Sequence, residues 1–99
     1  MNSIVNLNKV FDSRIRLGIM SALILNTRIN FVELKNLLNI TDGNLASHLK
    51  TLEEKEFVKV HKSFIGRKPN TAISITKNGE KAFKDHLTAL EKMISGFNK

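Results

Sequence analysis

Residues 41–53 read Thr41-Asp42-Gly43-Asn44-Leu45-Ala46-Ser47-His48-Leu49-Lys50-Thr51-Leu52-Glu53. On a helical wheel with Leu45 at zero, Leu49 and Leu52 fall within about 40° of it. Gly43, Asn44, Ser47, Lys50, Thr51 and Glu54 take the opposite side. The stretch therefore predicts a helix with one narrow leucine stripe and a small, polar outer face. Thr41 is suited to cap it, because its hydroxyl can accept from an otherwise unpaired N–H. Asp42 in the first turn suits the positive end of the helix dipole.

Upstream, Phe31, Leu34 and Leu38 share one helical face and predict a shorter helix ending near Asn39. Ile40-Thr41-Asp42-Gly43-Asn44 then becomes a tight turn between two helices. Before that pair, Val10, Phe11, Ile15, Leu17, Ile19, Met20, Leu23 and Leu25 surround most of a cylinder, predicting a helix from about Lys9 to Leu25 that is buried on several sides. Ile4, Leu7 and Phe11 follow at spacings of 3 and 4, so the helical face is expected to begin earlier still. A short strand fits near residue 30.

Downstream, Val58, Val60 and Phe64 share a parity within Phe57–Ile65, and Ile73 and Ile75 share one within Thr71–Thr76. Gly66-Arg67-Lys68-Pro69-Asn70 lies between them. Two β-rich runs around a Gly/Pro/Asn loop predict a hairpin, with Arg67 and Lys68 at its tip. The last helix starts after Thr76-Lys77-Asn78-Gly79. Its residues Phe83, Leu87, Leu90, Ile94 and Phe97 are spaced 4, 3, 4 and 3, the period of a coiled-coil seam. The seam can cap the monomer core or join two chains. Because it is long for so small a domain, and Ile4, Leu7 and Phe11 offer a surface to meet it, dimerisation is expected.

The 99 residues suit one domain, 1–99, whose monomer core is modest. The helix-turn-helix occupies about 31–55, the hairpin about 57–76 and the last helix about 78–97. The net charge is +7, and its distribution matters more than its size. Lys59, Lys62, Arg67, Lys68 and Lys77 fall within residues 57–79 with no acid among them. Such a field attracts polyanions. An anionic membrane would suit the charge, but no basic amphipathic helix coincides with this segment. The absence of cysteine excludes disulfides and thiolate metal sites. No apolar run nears the ~20 residues of a membrane span, and no secretory signal is recognisable, so a cytoplasmic protein is expected.

Helix, tight turn, helix and basic-tipped hairpin, in that order, describe an α+β, mostly helical fold: a winged helix-turn-helix with a β-hairpin wing and a C-terminal dimerisation helix. Asn, Ser, Thr and Lys can bond base edges in the major groove or nearby phosphates. The residues expected to contact double-stranded DNA are Gly43, Asn44, Ser47, His48, Lys50 and Thr51 on the helix, with Lys62, Arg67 and Lys68 on the wing. Gly43 leaves room for a phosphate at the helix N-terminus, and Arg67, beside the stiffening Pro69, suits a narrow minor groove. Lys59, Arg28 and Lys35 are either phosphate contacts or solvated charges.

The run from Thr41 to Glu53, followed by Phe57-Val58, resembles the recognition-helix signature of MarR/ArsR-like winged-helix regulators. Phe64-Ile65-Gly66-Arg67-Lys68-Pro69 and Ile75-Thr76-Lys77-Asn78-Gly79 look like their wing and the start of the following helix. The resemblance spans about residues 15–95 and fits the compact single-domain members. It implies a homodimer on an inverted repeat, with recognition helices in successive major grooves. The thiolate motifs of ArsR-type metal sensors are absent. His48, His61 and His86 are separated by 13 and 25 residues, which match no compact metal site. No cofactor is expected, and a small-molecule effector stays open. With no nucleotide-binding glycine loop, cysteine nucleophile or carboxylate pair in an apolar setting, an enzyme is not expected. Repression is the expected mode of a chain with no separate activating segment. Two other uses of such a domain remain: non-specific architectural DNA binding and protein assembly.

Overall fold

The computed structural model describes residues 4–97, the last of these through its backbone only. The elements run α1 (Arg14–Asn26), β1 (Arg28–Asn30), α2 (Phe31–Leu38), α3 (Asp42–Glu54), β2 (Val58–Ile65), β3 (Lys68–Ile75) and α4 (Lys77–Phe97). The helix expected from Lys9 is divided. Lys9–Phe11 forms a separate 3₁₀ turn whose first N–H groups are served by Asn8, which accepts from the Val10 N–H at 3.0 Å. Ser13, in extended backbone, then caps α1 by accepting from the Arg16 N–H at 3.2 Å. Two short polar side chains thus offer the backbone alternatives to a continuous helix. The early helical face over Ile4, Leu7 and Phe11 is likewise replaced: Ile4–Asn6 is a 3₁₀ turn with Ile4 exposed.

The helix-turn-helix forms as its caps dictate. Asn39 ends α2 in the left-handed region, at φ 54°, a conformation asparagine tolerates. Thr41 then accepts from the Asn44 N–H at 3.1 Å and starts α3. Leu45, Leu49 and Leu52 are buried together with Ile19, Met20, Leu23, Leu34 and Ile73.

The three strands lie in the order β1-β3-β2, all antiparallel. The wing turn is tighter than the Gly66–Asn70 loop expected: Ile65 already pairs with Lys68, Phe64 with Pro69 and Ser63 with Asn70. Gly66 supplies φ +65° at the first of two loop positions, the pattern of a II′ hairpin turn. Pro69 is tolerated inside β3 because β1 reaches only to Ala72, leaving no strand on that side for the missing N–H to serve.

The start of α4 is locked to the root of the wing. Thr76 accepts from the Gly79 N–H at 2.9 Å, while its own hydroxyl donates to the Glu56 carbonyl at 2.7 Å. Phe83, expected in the pairing seam, is instead buried at 2% exposure, its ring edge-on to Phe11 at 5.4 Å. His86 is buried below it and accepts from the Asn8 N–H through Nδ1 at 3.0 Å. Phe11 and Asn8 of the N-terminal segment thus draw these two residues into the monomer core. Leu90 is half-buried, while Leu87 and Ile94 are exposed at 43% and 59%. The side chain of Phe97 lies outside the described residues.

Candidate nucleic-acid interface

The outer face of α3 stands clear of the protein. Gly43, Asn44, Ser47 and Lys50 are exposed, and a Cβ at Gly43 would meet nothing within 4 Å. Thr51 is half-buried, with its hydroxyl 3.5 Å from the Ser47 carbonyl in the preceding turn. Asp42 at the helix start is paired with Lys35 of α2 at 2.9 Å, which offsets a carboxylate that would repel a phosphate.

His48 lies at the side of this face rather than on it. It is half-buried, and Arg16 of α1 reaches its Nδ1 at 3.0 Å. Arg16 also donates through Nε to the Val10 carbonyl at 2.6 Å, so the N-terminal segment holds the guanidinium against α3. Burial, and then the Arg16 charge, hold the His48 imidazole below its usual pKa of 6.5. Sequence reasoning missed Arg16. Nothing in the local pattern links residues 32 positions apart.

Between α3 and the wing runs a groove of about 600 Å³. Phe31, Leu49 and Val60 contribute its apolar wall, and Lys50, Lys62 and Glu53 its charges. Lys50 and Lys62, expected separately on helix and wing, are thus brought to one cleft. Glu53, which is not among the expected contacts, lines the groove with them. Beyond the groove, Arg67 and Lys68 are exposed at the tip, beside Phe64 and Ile65. Asn30, which caps α2 by accepting from the Val32 N–H, also donates to Asn70, tying the wing to the helix-turn-helix.

On the other side of the sheet, His61 hydrogen-bonds Ser74 at 2.8 Å. Burial, with the charges of Arg28 and Lys59, lowers its pKa. The three histidines therefore occupy three separate places, each with its own partner. Among the described residues no helix is long and apolar enough to cross a membrane.

A family profile described as a winged helix DNA-binding domain matches residues 15–94. An uncharacterized protein of Methanocaldococcus jannaschii is 44% identical over 79 residues, covering 80% of this chain and 86% of its own. The structure of a transcriptional regulator homologue from Pyrococcus horikoshii superposes with a TM-score of 0.80 at 33% identity, covering 92% of this chain and 95% of that one. A mutant MarR from E. coli, complexed with operator DNA, shares the fold at a TM-score of 0.72 and 19% identity. That match covers 86% of this chain and 60% of the MarR chain.

Proposed function

The chain belongs to the winged helix DNA-binding domain family, and from that premise we propose that it is a homodimeric repressor reading an inverted-repeat operator. The observation that carries this reading is the α3–wing arrangement: an open polar helix face, then a groove bearing Lys50 and Lys62, then a basic tip with Arg67 and Lys68. The arrangement suits a duplex. A helix fills the major groove, a phosphate strand crosses beside it and an arginine reaches the adjoining minor groove. Asn44, Ser47 and Thr51 are the base-reading candidates, and Gly43, Lys50, Lys62 and Lys68 the phosphate contacts. His48 borders the same face.

Pairing of two chains is supported by the stripe of Leu87, Leu90 and Ile94 on α4, which the monomer covers only in part. A MarR neighbour of the same fold is complexed with operator DNA, which supports by analogy the DNA-binding part of this reading. Repression follows from occupancy: a dimer seated on a promoter blocks access without further machinery.

The test is selection of bound duplexes from a random pool at about physiological salt. Enrichment of a two-fold motif with half-sites about 10 base pairs apart is expected. Binding without enrichment would replace this reading with an architectural one. No binding would leave the domain as a protein-assembly module.

A further inference from the structure

The face of the sheet turned away from the core carries a second concentration of positive charge. Arg28 of β1 and Lys59 of β2 are both in register with Ser74 of the central strand, so the three residues form one row. Their sequence neighbours Ile29, Val58 and Ile73 are buried, which puts the row itself on the outer surface. His61 lies two residues along β2 from Lys59 on the same face and hydrogen-bonds the Ser74 hydroxyl at 2.8 Å. Neighbouring strands are about 4.8 Å apart, so Arg28 and Lys59 flank Ser74 within reach of their long side chains. The α3–wing groove lies on the opposite face, lined there by Val60, Lys62 and Thr71.

Three cationic or protonatable groups are gathered around one hydroxyl, and among the described residues no carboxylate is paired with any of them. The charges that His61 experiences are those of Arg28 and Lys59, both unfavourable to its protonation. Arg28 and Lys59 flank Ser74 from the two outer strands, so like charges gather on this face and an anion seated between them would offset both. We propose that this face is a phosphate-binding site, separate from the α3–wing groove, in which Arg28, Lys59 and His61 surround the Ser74 hydroxyl and together hold one phosphate group. The chemistry favours phosphate over carboxylate. A carboxylate is satisfied by a single planar arginine fork, whereas donors converging from three strands match a tetrahedral anion with several oxygens. The phosphate has two sources: the backbone of a nucleic acid or a free phosphorylated small molecule.

The test follows the imidazole resonances of the full chain by NMR while inorganic phosphate is added at constant ionic strength. The expected result is a saturable shift of the His61 ring, with its pKa rising as the anion offsets the two cations, while the buried His86 ring stays in place. Arg28→Ala and Lys59→Ala should each weaken the site about tenfold, as loss of one charge-assisted hydrogen bond implies. Lys59→Glu should abolish it. Both substituted positions are exposed, and an unchanged His86 resonance reports the fold intact. A shift that does not saturate, or that persists undiminished in Lys59→Glu, overturns the proposal. Repeating the titration with a short duplex separates the sources. Competition between duplex and phosphate for His61 assigns the site to a nucleic-acid backbone, and independent binding assigns it to a free phosphorylated ligand. This outcome does not depend on whether α3 reads an operator.

Discussion

Arg16 donates through Nη1 to Nδ1 of His48 across the α1–α3 boundary, at 3.0 Å. A guanidinium has no acceptor, so Nδ1 must carry the lone pair and the ring must be neutral, with its proton on Nε2. The α3 histidine is thereby fixed in one tautomer by a residue outside the helix-turn-helix.

A pH dependence of stability follows. The folded protein holds the His48 pKa below 6.5, through burial and then Arg16, and holds that of His61 below 6.5 as well. The unfolded chain therefore takes up these protons first as pH falls. The stabilisation is fully present above about 6.5 and is lost progressively as pH drops from there through the folded pKa values. Urea unfolding between pH 8 and 5 should show the midpoint falling below about pH 6.5, with a shallower fall in His48→Asn. A midpoint constant between pH 7.5 and 5.5 would refute this account.

Two glycines should respond differently to alanine. At Gly79 a Cβ would overlap the carbonyl of Phe57, a backbone group held in place by the Thr76 N–H at 3.1 Å. Gly79→Ala should thus cost about 3 kcal/mol or prevent folding, since α4 must move off the wing root. At Gly18 the Cβ would meet the Leu38 side-chain tip at 2.9 Å, which can turn aside. Helix propensity favours alanine by up to about 1 kcal/mol, so Gly18→Ala should be neutral within about 1 kcal/mol. Denaturant midpoints of both variants decide the matter.

The groove chemistry predicts a sign as well as a loss. Lys50→Ala and Lys62→Ala should each reduce the salt slope of DNA binding by about 1, the signature of one phosphate contact. Asn44→Ala should cost about 1–3 kcal/mol on the preferred duplex and little on random sequence. Glu53 lines the same groove as the two lysines. Glu53→Gln should therefore tighten binding on any sequence, most of all at low salt. Fluorescence anisotropy across a salt series tests all four, and weaker binding by Glu53→Gln would remove the groove from the interface.

The parts of the fold legible in the sequence are those set by local periodicity and caps. Leu45, Leu49 and Leu52 announce the inner face of α3, and Thr41 its start, because a helix buries what recurs every three or four residues. What was not legible depends on contacts distant in sequence or on competition between caps. Asn8 and Ser13 divide a run whose hydrophobicity alone reads as one helix. The wing turn can close as early as Gly66-Arg67 with Pro69 inside β3, since β3 has no outer neighbour there, a fact of sheet order rather than sequence. The alignment of Arg28, Ser74 and Lys59 in one row likewise required the register. At the candidate interface, the polar face of α3 and the basic wing were readable, whereas Arg16 and Glu53 entered only through packing.

The division of α4 into an inner and an outer stripe yields the last prediction. A seam spaced 4, 3, 4, 3 from Phe83 does not distinguish a monomer core from a dimer interface, and the structure assigns its members differently. Phe83 is fully enclosed by Phe11 and its neighbours, so Phe83→Ala should behave as a core truncation, costing about 3–5 kcal/mol. Leu87 and Ile94 make no comparable contribution to the monomer. Leu87→Glu with Ile94→Glu should leave the circular dichroism spectrum and unfolding midpoint at high dilution unchanged, while converting dimers to monomers in sedimentation. If α4 pairs two chains, the same variant should lose most of its operator affinity, because each half-site alone offers one helix and one wing. A wild-type protein that sediments as a monomer at micromolar concentration would remove α4 from the dimer account, and a double variant that still dimerises would place the interface elsewhere on the molecule.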